Sequence, residues 1–252
     1  MLTEAKVALL TGSTRGIGRQ IALRWAREGT IPVLNYLKNH QAAQETLREL
    51  QEASPQSFAL QADVSQPDQA ASLVQSVAAR FGRLDILVNG AGPFLRKTLS
   101  ETGDAEWRRM VDSNLSSAFY CCRNALPIMR GQGSGNIINF SAMHAESYAP
   151  TGSLEADAYW IAKAGVALLT RCLARSEGPF NIRVNAIAPG FIYTEDYPDL
   201  YSQEVMAGWQ QMIPMGRFGQ IEQVVEAVSF LVSERANYIS GAVLHVHGGL
   251  WR

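Results

Sequence analysis

Tyr159-Trp160-Ile161-Ala162-Lys163 sets a phenol and an ammonium four residues apart. That spacing brings both groups to one face of a helix, so both can reach one pocket. A free tyrosine has a pKa near ~10 and exchanges protons poorly at neutral pH. A neighbouring ammonium favours the phenolate, which makes the phenol a usable acid–base group. Tyr-x-x-x-Lys also arises by chance in many helices, so the pair alone assigns no reaction.

A second constellation lies near the start of the chain. TGSTRGIG at 11–18 puts Gly12, Gly16 and Gly18, with Thr14, Arg15 and Ile17 between them, after an apolar run and before a helical stretch. Glycines there allow a tight turn and close backbone approach to a pyrophosphate, and the helix start offers free N–H groups and a favourable dipole. Placement after the first strand of an alternating chain is what turns a glycine-rich turn into a nucleotide cradle. The next strand ends Asn35-Tyr36-Leu37-Lys38, with no carboxylate to bind a ribose 2′-hydroxyl. Arg15 and Lys38 can instead neutralise a 2′-phosphate, so NADP is the expected cofactor, with NADPH favoured over NADH. As solvated surface charges, the same two residues would carry no such choice.

These residues need a scaffold, and the pattern of the chain supplies one. Apolar β-rich runs fall at 6–11, 31–36, 57–62, 84–89, 136–141, 182–188 and 243–247. Amphipathic stretches lie between them at 17–28, 41–52, 69–81, 107–130, 156–176 and 221–233. Such alternation implies βαβ units, and right-handed crossovers make a doubly wound α/β Rossmann fold the natural solution. The expectation is a seven-stranded, mostly parallel sheet flanked by helices on both faces, in a single domain over 1–252. GQGSG at 131–135 reads as a surface loop between a helix and a strand. The stretch 191–219 breaks the alternation and is rich in aromatic and methionine side chains, including Tyr193, Trp209 and Phe218. It reads either as a lid over the site or as an ordinary helix packed by those side chains.

Composition narrows the function classes. A net charge of −1 disfavours binding to nucleic acid, and 47% hydrophobic residues exclude disorder. No apolar run approaches the ~18–20 residues a membrane span needs. MLTEAKVALL lacks the basic region and cleavage site of a signal peptide. Cys121 and Cys122 are adjacent in a helical pattern and Cys172 stands apart, so reduced thiols in a cytoplasmic protein are expected. His245 and His247 share a strand face without a carboxylate or cysteine to complete a metal site, so no metal is expected. His40 reads as a solvated helix residue.

Taken in order, TGSTRGIG (11–18), Asp63-Val64, LVNGAG (87–92), SNL with Asn114, YWIAK (159–163), NAIAPGFIYT (185–194) and HGG (247–249) resemble the short-chain dehydrogenase/reductase family over nearly the whole chain. The resemblance implies Tyr159 as general acid–base, Lys163 as holder of the ribose and depressor of the tyrosine pKa, and Asn114 as anchor of a proton-relay water. It places Asp63 and Val64 at the adenine, with Asn35 and Tyr36 beside them at the end of the second strand. Asn89, Gly90, Ala91 and Gly92 would line the cofactor pocket. Pro189, Gly190, Ile192 and Thr194 would flank the nicotinamide carboxamide. Gly90 and His247 stand where the family often has Asn and Asp.

One departure touches the chemistry. The family places a catalytic serine three residues after the strand-5 asparagine, and counting from Asn139 puts Ala142 there, 17 residues before Tyr159. Alanine cannot donate a hydrogen bond to a substrate carbonyl. Ser141, of opposite strand parity, Ser147 in the longer loop, and His144 are candidate substitutes, and no substitute is a fourth outcome. The leading expectation is an NADPH-dependent reductase of carbonyls, reversible toward secondary alcohols. Within the family the closing third looks most like 3-oxoacyl-[acyl-carrier-protein] reductases, so an acyl thioester is one substrate class, and Arg123, Arg130, Arg171 and Arg175 could face an acidic carrier. The alternative is a dinucleotide-binding sensor or scaffold with little turnover. By analogy with the family, a homotetramer is expected.

Overall fold

The computed structural model describes residues 5–144, 155–194 and 201–250. Seven strands form one sheet in the order β3-β2-β1-β4-β5-β6-β7. They are β1 (Val7–Thr11), β2 (Ile31–Tyr36), β3 (Phe58–Gln61), β4 (Ile86–Asn89), β5 (Gly135–Phe140), β6 (Ile182–Pro189) and β7 (Val243–Val246). Every pairing is parallel. The expected mixture therefore resolves to a wholly parallel sheet.

Helices α1 (Gly16–Arg27), α2 (His40–Ala53) and α3 (Pro67–Phe81) follow the first three strands. After β4 come α4 (Asp104–Val111) and α5 (Ser117–Gln132), joined by a π-helical turn at Asp112–Ser116. Then follow α6 (Asp157–Glu177), α7 (Gln203–Met212) and α8 (Ile221–Val232).

The strands read as unbroken apolar runs because both faces of the sheet are covered. Side-chain parity then divides each strand between two cores. Leu9, Val33, Leu87, Ile137 and Val184 pack with Leu73, Val77, Cys121 and Met129 on the side of α3 and α5. Leu10, Leu34, Val88, Ile138 and Ile187 pack with Ile21, Trp25, Val224 and Val228 on the side of α1 and α8. Arg130 on α5 and Glu177 on α6 tie those helices together through two short hydrogen bonds, 2.7 and 2.8 Å. The three cysteines are free, Cys121 and Cys122 in the core and Cys172 at the surface.

The helical stretch expected at 107–130 is broken. Asn114 sits in the π-helical turn and donates from Nδ2 to Met110 O and Pro93 O, both at 3.1 Å. The wider turn lets one side chain grip its own helix and the loop after β4, a competition that apolar periodicity does not register. The GQGSG segment is shorter as a loop than expected, because α5 runs to Gln132 and Gly135 already belongs to β5. Within 191–219, residues 195–200 lie outside the described residues; the remainder contains α7, whose Trp209 stacks on Phe191 at 5.1 Å. Among the described residues no helix is long and apolar enough to cross a membrane.

Leu87 lies on β4, the central strand of the sheet, and is fully buried. Leu87→Ala is expected to lower unfolding free energy by about 2–5 kcal/mol, through lost burial and the cavity left behind. Urea denaturation followed by circular dichroism checks this.

Candidate active site

The strand order reverses between β1 and β4, and a crevice opens outside the carboxyl ends of such strands. Here it is a cleft of about 930 Å³. Its floor is the turn after β1. Gly12 has φ +63°, and a Cβ there would lie 2.9 Å from Ala91 Cα, so the turn packs directly on the loop after β4. Thr11 Oγ1 binds that loop by accepting from the N–H groups of Gly90 (3.1 Å) and Ala91 (3.2 Å). Gly16 has φ +54° and open space where its Cβ would be. A left-handed turn opening onto the start of α1 is the cradle a pyrophosphate fits, and the residues present fit a dinucleotide.

Thr14, Arg15, Ile17 and Gly18 line the cleft with the two turn glycines. At the next strand end Asn35 is a bracket. Its Oδ1 accepts from Gly12 N at 3.4 Å and its Nδ2 donates to Ala62 O at 3.1 Å. Tyr36 lines the cleft with its hydroxyl bonded to His40 Nδ1 at 2.8 Å. His40 thus opens α2 as a helix residue but is engaged with the cleft wall rather than only with solvent. Lys38, Asp63, Val64, Gly90, Ala91 and Gly92 also line the cleft. Asp63 Oδ1 accepts from Ser65 N and Ser65 Oγ, which fixes the loop after β3.

At the other end α6 presents the phenol and the ammonium. Lys163 is 5% exposed, and its Nζ donates to Phe140 O at 2.7 Å and stands 5.7 Å from the centre of the Tyr159 ring. Burial pushes its pKa down to about 8. Tyr159 meets Phe94 and Trp160 edge-on, each with ring centres 5.0 Å apart. Neither Tyr159 nor Lys163 lines the cleft itself; Phe94, which meets the Tyr159 ring, and Phe140, whose carbonyl holds Lys163, do. Asn114 Oδ1 is buried against Gly92, where a Cβ would come within 2.1 Å, and accepts no hydrogen bond from the described residues.

The serine candidates separate cleanly. Ser141 Oγ donates to Lys163 O at 2.9 Å and is buried, as its strand parity implies. Ala142 lies in a third apolar cluster with Met143, Trp160, Phe191 and Trp209. His144 is buried edge-on against Trp160 at 4.9 Å, and desolvation holds its ring below the usual histidine range. Ser147 lies outside the described residues.

Several residues expected at the cofactor do not line the cleft: Asn89, Pro189, Gly190 and Ile192. Asn89 donates to Asn139 Oδ1 at 2.8 Å, because the parallel register pairs the two residues and sets both side chains on one face of the sheet. Gly190 lies against His247, where a Cβ would meet the histidine Cβ at 2.6 Å. Ile192 belongs to the core on the α8 side, Pro189 ends β6, and of that segment Thr194 lines the cleft. The sequence reading missed Ser65, Phe94, Arg109, Ser113 and Phe140, which also line it. Ser65 and Ser113 each adjoin a motif residue, whereas Phe94 and Arg109 reach the cleft only through folding of the segment after β4. Among the described residues no group of three His, Cys, Asp or Glu side chains could hold a metal ion.

A nucleotide cleft at the switch point of a parallel sheet, with a Tyr–Lys pair at one end, defines a dehydrogenase/reductase of the Rossmann class. Residues 12–251 match the family model described as enoyl-(acyl carrier protein) reductase. The chain is 39% identical to the 3-oxoacyl-[acyl-carrier-protein] reductase FabG of Staphylococcus aureus (strain Mu50 / ATCC 700699), covering 98% of both. It is 35% identical to glucose 1-dehydrogenase 2 of Bacillus subtilis (strain 168), over 97% of this chain and 94% of that one. Its structure matches a putative short-chain alcohol dehydrogenase from Sinorhizobium meliloti 1021 with a TM-score of 0.90 at 32% identity, covering 97% and 96% of the two chains. The chain belongs to the short-chain dehydrogenase/reductase family.

Burial of Lys163 carries a signed consequence for stability. Its folded pKa of about 8 lies below its ordinary 10.5, so between those values the folded protein binds fewer protons than the unfolded one. The group opposes folding fully below about pH 8, and that opposition fades as pH rises toward 10.5. Lys163→Met is expected to raise the melting temperature of the protein without dinucleotide by several degrees at pH 7. The gain should shrink toward zero near pH ~10. Differential scanning fluorimetry at both pH values checks this, and equal gains at both would contradict it.

Proposed function

We propose that the protein is an NADP(H)-dependent oxidoreductase that moves hydride between nicotinamide and a carbonyl or secondary alcohol. The observation that carries this is the buried Lys163 ammonium beside Tyr159 at the end of a glycine-floored cleft. When bound, the reduced nicotinamide supplies hydride to the carbonyl carbon.

The chain's own residues handle the proton. Tyr159 Oη donates to the carbonyl oxygen as charge develops there, and Lys163 stabilises the phenolate left behind. Asn114, buried against the cleft wall, belongs to the route that returns a proton to this pair. Phe140 O fixes the Lys163 ammonium in place. Arg15 and Lys38 line the adenosine end and supply the positive charge for a 2′-phosphate, while β2 offers no carboxylate to a 2′-hydroxyl. Unbridged cysteines suit the reducing cytoplasm.

A 3-oxoacyl thioester is one substrate class, supported by the likeness to reductases named for it. Of the four arginines expected to face an acidic carrier, Arg130 is engaged with buried Glu177, and Arg123 lies over the Phe119 and Tyr120 rings. Homo-oligomerisation, as a tetramer, is supported by exposed Phe119, Ile161 and Leu168 on α5 and α6. A second reading, a sensor with little turnover, is favoured by Ala142 within an apolar cluster and by Ser141 turned to a backbone carbonyl. NADPH oxidation against ketones and 3-oxoacyl thioesters separates the two: tight binding without turnover on any carbonyl supports the sensor.

Tyr159→Phe is expected to remove nearly all turnover while NADPH affinity stays close to that of the unaltered protein, measured by steady-state kinetics and fluorescence titration. Retention of most activity would reject Tyr159 as the acid–base. Lys38→Ala is expected to weaken NADPH about tenfold and NADH far less, as one lost charge-assisted contact implies. Equal losses for the two cofactors would reject the phosphate-binding role.

A further inference from the structure

Phe94 stands on the segment between β4 and α4, and that segment is clasped to the first turn of α6. Leu99 N donates to Asp157 Oδ2 at 2.8 Å, and Asp157 N donates to Lys97 O at 3.2 Å. Lys97 Nζ in turn bonds Glu106 at 2.7 Å, and Thr98 Oγ1 donates to Glu101 at 2.8 Å. Asp157 precedes Tyr159 by two residues, so the clasp joins the segment to the turn that carries the phenol. The ring of Phe94 is thereby held in place before any substrate arrives.

That ring is 43% exposed and lines the cleft. It stands edge-on to Tyr159, with centres 5.0 Å apart and planes at 78°, and edge-on to Trp160 at 6.1 Å. An aromatic surface left open to water at the phenol gains burial when a flat apolar group covers it. Trp160, edge-on to the same ring, anchors it to a buried apolar cluster with Ala142, Met143, Phe191 and Trp209. Position 142 offers no hydroxyl to a carbonyl oxygen, and packing on Phe94 is a means of orienting a substrate at Tyr159 that the described residues supply.

We propose that Phe94 is a specificity-determining residue that selects carbonyl compounds bearing an aryl group next to the carbonyl, by packing that ring on its exposed surface beside Tyr159. The inference rests on the oxidoreductase reading and names the substrate class of that same site. A slender acyl chain covers less of the exposed ring.

The test compares acetophenone with the straight-chain methyl ketone of the same carbon number, by steady-state NADPH oxidation. The unaltered protein is expected to favour acetophenone in kcat/KM by about tenfold, near the value of one good aromatic contact. Phe94→Ala is expected to bring that ratio close to one, chiefly through a higher KM for acetophenone, and Phe94→Tyr is expected to preserve it. Equal kcat/KM for the two ketones in the unaltered protein overturns the proposal and leaves the oxidoreductase reading standing. So does a ratio unchanged by Phe94→Ala. Absence of turnover on these ketones and on 3-oxoacyl thioesters alike overturns both.

Discussion

An ammonium held out of water is the constraint around which the catalytic end is built. Lys163 is buried, and its Nζ is fixed by one carbonyl oxygen, that of Phe140 at the end of β5. Burial disfavours the charged form and has pushed its pKa down to about 8. A charge on the margin of ionisation responds strongly to what comes near it. In the proposed reaction a phenolate at Tyr159 would favour the charged Lys163, and that charge would favour the phenolate.

The rest of the fold delivers this pair to the end of a dinucleotide cleft. Parallel pairing in the order β3-β2-β1-β4 puts the glycine turn after β1 against the loop after β4. Gly12 and Ala91 then approach so closely that a side chain on Gly12 would collide with the opposite backbone. The same loop, continued, carries Phe94 to the phenol, and the Asp157 clasp returns it to α6. Floor, wall and catalytic helix are therefore connected through one stretch of chain, residues 90–103.

Most of the architecture was legible in the sequence because parallel strands covered on both faces must be continuously apolar, and each of the seven runs is a strand within a residue or two. Tyr159, Lys163 and the glycine turn were legible because their spacing is local. What escaped depends on contacts distant in sequence. The π-helical turn follows from Asn114 gripping Pro93 O, and the tie of His40 to Tyr36 follows from where β2 meets α2. Asn89 was expected in the pocket wall but donates to Asn139. Phe94 gave no signal at all, since an isolated phenylalanine after a Gly-Pro pair has no periodicity, and its role comes from the clasp.

The account turns on whether Lys163 makes the Tyr159 phenol more acidic. Its most direct measurement is an ultraviolet difference titration near neutral to alkaline pH with oxidised dinucleotide bound, subtracting a protein in which phenylalanine replaces Tyr159. The account predicts that this phenol ionises well below the ordinary value of about 10 and returns to it or above when Lys163 is replaced by methionine. An identical midpoint with and without the ammonium would contradict it.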